Sequence, residues 1–100
     1  MLWVISCISK PKIEVEAVRV EFRQVHHDYL KSKNNIIFFA GPMHSDDGAV
    51  NIGSLWIINV NSRAEAKAFS DGEAYTRAGV FASVTITRAR KDILHPDLAG

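Results

Sequence analysis

Leu2 to Ile8 form a nearly unbroken apolar, β-prone run, which predicts a central strand covered on both faces. Pro11 stops it, because proline has no N–H to give to a sheet ladder. From about Ile13 to Lys33 the rhythm lengthens. Val18, Phe22, Val25 and Tyr29 recur at spacings of four, three and four, which places them on one helical face. Glu14 and Glu16 near the start and Lys31 near the end suit the helix dipole, and Asn34-Asn35 suits the closing turn. Ile36 to Ala40 predicts a second strand closed by Gly41-Pro42, residues 43–52 a polar loop, and Ser54 to Val60 a third strand. Ser62-Arg63-Ala64-Glu65 has the form of a capping box, opening a short helix through Ala66, Ala68 and Phe69 to about Gly72. Residues 80–87 alternate, with Val80, Ala82, Val84 and Ile86 on one face and Phe81, Ser83, Thr85 and Thr87 on the other. That is a fourth, half-buried strand.

The order β-α-β-β-α-β predicts an α+β domain of ferredoxin-like topology, with both helices on one face of an antiparallel sheet. Nothing else in the chain is long enough to cover the other face, which predicts a homodimer in which a second sheet does so. The expected organisation is one domain over 1–100, with a core of about 1–88 and a tail of 89–100 whose Ile93, Leu94 and Leu98 wrap the partner.

Composition changes this picture little. One hundred residues bury only a modest core, so a substrate-sized pocket competes with it for space. Twelve basic and 11 acidic residues leave a net charge of +1, which argues against nucleic acid or a membrane surface as partner. The densest basic stretch, Arg88, Arg90 and Lys91, reads as a solvated face. Cys7 is the only cysteine, lies in an apolar run, and reads as a small buried residue in a reducing compartment. The N-terminus lacks a basic stretch before its short apolar run, so a cytoplasmic location is expected.

Candidate chemistry centres on His26, one residue from the apolar helical stripe. An imidazole there either packs as a satisfied boundary residue or exchanges protons at a pocket near neutral pH. His27 points about 100° away, towards solvent. His44 lies in a loop that can close over strand ends. Asp71 and Glu73 compete as the carboxylate that would orient His26. Asp71 is favoured for its short side chain at a helix end beside Gly72. Arg23, one turn before His26, suits an anionic phenolate or carboxylate, or else a surface acid. Ser54 can donate to a substrate oxygen, and Tyr75, Trp3, Trp56 and Phe38 either line an aromatic pocket or pack the core. No metal-ligand spacing and no glycine-rich phosphate loop occurs, so no metal site is expected.

Several short motifs, in order, are similar to those of the YCII (YciI-like) family. They are Arg23-Gln24-Val25-His26 for R-x-x-H, Ala40-Gly41-Pro42 for A-G-P, Gly53-Ser54 for G-S, and Glu65-Ala66 with Ala78-Gly79-Val80-Phe81 around the last helix and strand. The family's D-P-[FY] before A-G-[LV] is altered: Glu73 stands at the Asp position, Ala74 at the Pro position, and Asp71 two residues earlier. The resemblance implies a dimeric α+β barrel with a His–carboxylate pair. It implies a cofactor-independent lyase that removes chloride from a small chlorinated hydroxyquinol, a step of aromatic degradation. In that reading His26 with Asp71 or Glu73 is catalytic, and Arg23, Ser54, His44 and Tyr75 bind substrate. An isomerase of a related lactone and a non-catalytic small-ligand binding module are the alternatives.

Overall fold

The computed structural model describes residues 1–98. Its elements are β1 (Leu2–Ser9), α1 (Lys12–Ser32), β2 (Ile37–His44), β3 (Asn51–Asn59), α2 (Arg63–Gly72), α3 (Ala74–Arg77) and β4 (Phe81–Ala89), with a 3-10 turn at Pro96–Leu98. The four strands form one antiparallel sheet in the order β2-β3-β1-β4, the ferredoxin-like arrangement. The last two residues of the expected tail, 99–100, lie outside the described residues.

On β1, Trp3, Ile5 and Cys7 point to the helices and are buried, while Leu2, Val4 and Ser6 lie half-covered on the opposite face. Within the single chain, then, β1 is buried on its helical face and half-covered on the other. The helical face holds the core, where Trp3, Ile5 and Cys7 pack with Trp56, Ile58, Ala66 and Phe69. Val15, Tyr75 and Val80 form a second cluster under the start of α1.

The inward stripe of α1 is also corrected. Steps of 3.6 residues from the buried Val15 fall near 19, 22, 26 and 29. His26 therefore takes the inward position that the sequence spacing assigned to Val25, and Val25 is 54% exposed. The strands β2 and β3 run further than predicted, leaving a turn at 45–50. There the Asp47 carboxylate accepts from Ser45 Oγ at 2.7 Å and Ala49 N–H at 3.0 Å, which holds its pKa below the usual value. Ser62 Oγ accepts from Glu65 N–H at 3.1 Å, and Glu65 reaches back to Asn61 N–H at 2.7 Å, so α2 opens much as its capping sequence predicts.

Two glycines are required by geometry. A Cβ on Gly53 would sit 2.0 Å from Cys7 O, so only glycine lets β3 pair with β1 there. Gly79 has φ 78°, which turns the chain into β4. Ser9 faces Phe81 while Ile8 faces Ser83, so Ala82 is an extra residue in the ladder. This bulge breaks the predicted alternation and brings Phe81 to the helical face, where it meets Trp56 edge-on at 5.9 Å.

Candidate functional site

The chain between α2 and β4 does more than turn. Glu73 ends α2 with φ −74° and ψ 140° and caps the one-turn helix α3. Its Oε2 accepts from the backbone N–H of Tyr75 at 2.9 Å and of Thr76 at 3.3 Å. Its Oε1 faces Nδ1 of His26 in a close hydrogen bond. Glu73 is fully buried and His26 is 9% exposed. A carboxylate stripped of water persists only when its oxygens are satisfied, and three N–H groups do this. With Glu73 ionised, Nδ1 donates the hydrogen, and Nε2 keeps its lone pair with no partner among the described residues.

The motif position missing its proline acquires a structural meaning here. Glu73, Ala74 and Tyr75 are the cap and first two residues of α3. The longer Glu in place of Asp spans both the cap and the histidine.

The imidazole plane is set from its face as well as its edge. Tyr75 stacks on His26 with ring centroids 4.0 Å apart and planes 8° apart. The Tyr75 hydroxyl donates to Arg19 O at 3.1 Å, and the Arg19 guanidinium lies 5.2 Å from the Tyr75 ring centre. The negative charge of Glu73 is felt nearby. Burial first and Glu73 second push the Cys7 thiol up to about 12, and the same causes in the same order raise Tyr29. The buried Cys7 is thereby a neutral thiol at working pH, in keeping with a packing role.

His26 opens onto a recess of about 460 Å³ between α1 and the β2–β3 side of the sheet. Arg19, Arg23, His26, His27 and Leu30 form the helical wall. Ala40, Gly41, Pro42, Asn51 and Ser54 form the strand wall, with Trp56 and Tyr75 beneath. A larger trough of about 670 Å³ lies elsewhere, lined by Leu2, Phe38, Asn59, Arg88, Arg90 and Lys91 among others. Among the described residues its lining holds no carboxylate and no imidazole, whereas His26 lines the smaller recess.

The predicted residues therefore separate. His26, Glu73, Arg23, Ser54 and Tyr75 come together. Asp71 does not: its side chain is 58% exposed and pairs with Lys67 at 2.6 Å. The preference for Asp71 as the histidine's partner is corrected, because Lys67 and Asp71 are one turn apart on the outer face of α2. His44, at the end of β2, is exposed and outside the recess. Phe38 lines the other trough and Trp3 packs in the core. Tyr75 supplies its ring to His26, with its hydroxyl already used on backbone. Arg19 and His27 were missed as lining residues. Positions 19, 23, 26, 27 and 30 repeat at helical spacing, a signal present in the sequence.

The fold has a solved counterpart. The 5-chloro-2-hydroxyhydroquinone dehydrochlorinase (TftG) of Burkholderia phenoliruptrix AC1100, in complex with 2,5-dihydroxybenzoquinone, superposes with a TM-score of 0.78. The match is 26% identical and covers 90% of this chain and 94% of that one. No curated protein sequence matches. The model of the YCII-related domain matches residues 1–90, and this chain belongs to that family.

Proposed function

We propose that the protein is a cofactor-independent lyase that eliminates chloride from a small chlorinated hydroxyquinol. The observation that carries this reading is the buried imidazole of His26, fixed at Nδ1 by Glu73, with Nε2 unpartnered at a substrate-sized recess. The structural likeness to a dehydrochlorinase bound to a dihydroxybenzoquinone supports the choice of reaction. Elimination needs a base for a ring hydroxyl, a proton returned to ring carbon, and release of chloride. The net change is loss of one proton and one chloride ion, with the ring reaching the quinone level and no other reactant. Nε2 of His26 takes and returns the proton, and Glu73 holds the tautomer and stabilises the imidazolium. Arg23 and Ser54 bind ring oxygens.

The protein is proposed to act as a homodimer. The sheet face opposite the helices carries Val4, Leu55, Ile57, Phe39 and Met43, and Phe39 is 45% exposed. A second copy packed there would cover this surface and leave the helical-side recess open.

The test is turnover of 5-chloro-2-hydroxyhydroquinone, followed as chloride release, by wild type and His26→Ala. General acid–base work predicts a loss of roughly 10²–10⁴-fold in a folded variant. Full activity in folded His26→Ala would overturn the assignment. Tight binding of 2,5-dihydroxybenzoquinone without turnover by wild type would make the protein a binding module instead.

A further inference from the structure

His26 and His27 are adjacent in the chain and differ in exposure. His26 is buried, with Nδ1 held by Glu73. His27 is exposed, and the centre of its ring lies 5.4 Å from that of His26. It lines the recess beside His26 and also an outer hollow of about 410 Å³ that it shares with Lys31, Asn34, Ile37 and Phe38 among others. His27 therefore stands between the inner recess and the outer surface. Its ring makes no ion pair among the described residues.

The rest of the recess offers no second group of a type that changes charge near neutral pH. Arg19 and Arg23 stay protonated, and the Tyr75 hydroxyl is already donated to Arg19 O. Glu73, behind His26, has its oxygens occupied by His26, Tyr75 and Thr76. No carboxylate is among the residues lining either hollow, and the cations Arg23 and Lys31 stand one turn from His27 on either side along α1. A proton that arrives on His27 is repelled rather than held, and leaves to solvent.

We infer that His27 is a relay that carries the net proton of each turnover from His26 to solvent. The inference rests on the lyase reading for the reaction that yields this proton. In that reaction Nε2 of His26 takes one hydroxyl proton and gives it to the ring carbon that bears chlorine. The C–Cl bond then breaks, chloride leaves with the electron pair, and a second hydroxyl loses its proton as its oxygen becomes a carbonyl. Nε2 takes that second proton as well and has to lose it before the next cycle. A ring bound in the recess covers the buried imidazole, so the open route runs sideways along α1. The proton passes from Nε2 to a ring nitrogen of His27, directly or through one water, and from there to bulk. His27 touches no reacting atom and acts only through His26.

Chloride release at saturating substrate, in dilute bulky buffer with and without added imidazole, tests this. His27→Gln is expected to lower kcat about tenfold with KM little changed, and imidazole should restore kcat with saturation. The same addition should leave wild type and the exposed control His95→Gln unchanged. Wild-type kcat in His27→Gln without imidazole, or a loss that imidazole does not restore, would overturn the relay. A second readout needs no turnover. Exchange of the His26 imidazole proton with water, followed by NMR in the complex with 2,5-dihydroxybenzoquinone, should slow in His27→Gln and recover with imidazole. Equal exchange in the two proteins would overturn the relay as well. Absence of chloride release from wild type sinks the lyase reading alone, and the exchange measurement then decides the relay.

Discussion

Asp71 and Glu73 are two residues apart and occupy opposite environments. Asp71 lies on the outer face of α2 and pairs with Lys67 in solvent. Glu73 is fully buried, caps α3 and holds His26. The difference comes from where α2 ends. With Glu73 at ψ 140° the chain leaves the helical path, and this carboxylate turns inward instead of following the surface. Water screens the first pair, so it contributes little, whereas the second depends on its partners for solvation.

The sharpest way to break this contrast is Glu73→Ala. It leaves His26 and the first N–H groups of α3 without an acceptor. A loss of about 3–5 kcal/mol is expected in urea unfolding, as for breaking one side of a buried pair.

Alkali should act next. The Cys7 thiol ionises near 9.0 in the unfolded chain and near 12 in the fold, where burial and Glu73 oppose the thiolate. Between those values the unfolded state holds fewer protons, so stability falls as pH rises through this interval. The raised Tyr29 works in the same direction. Iodoacetamide at pH 9 should leave Cys7 unmodified in the native protein and modify it in urea.

Ala74→Pro is a milder probe. Glu73 already has the extended backbone that a following proline demands, and the first residue of a helix needs no N–H partner. A recess of about 280 Å³ beside Ala74 accommodates the ring. A gain of about 0.4–1 kcal/mol is expected in thermal unfolding. Asp71→Ala should be the smallest change, within about 0.5 kcal/mol, with activity retained.

Much of the architecture is legible in the sequence, because the hydrophobic rhythm changes at each element. The second strand pair, the capping sequence of α2 and the ferredoxin-like order all follow from local pattern. Details set by non-local geometry are not. Val25 and His26 differ by one residue, and only the true 3.6-residue phase from Val15 separates them. The bulge at Ala82 depends on pairing with Ser9, which no alternation reveals. The choice between Asp71 and Glu73 depends on the break at Glu73, and a helix as short as α3 leaves no periodic trace. Counting back from Ala78-Gly79 points to Glu73, and preferring the shorter side chain beside Gly72 points away from it. Arg19 and His27 lie on the same helical wall as His26, a relation visible in spacing but not in motif.

The account stands on Glu73 fixing the His26 ring with its Nε2 lone pair free. Long-range ¹⁵N–¹H NMR of the imidazole nitrogens reads this directly in wild type, Glu73→Gln and Asp71→Asn. The account predicts a protonated Nδ1 and an unprotonated Nε2 in the neutral ring, unchanged in Asp71→Asn and altered in Glu73→Gln. A proton on Nε2 in the wild type, or a pattern that follows Asp71 and ignores Glu73, would contradict it.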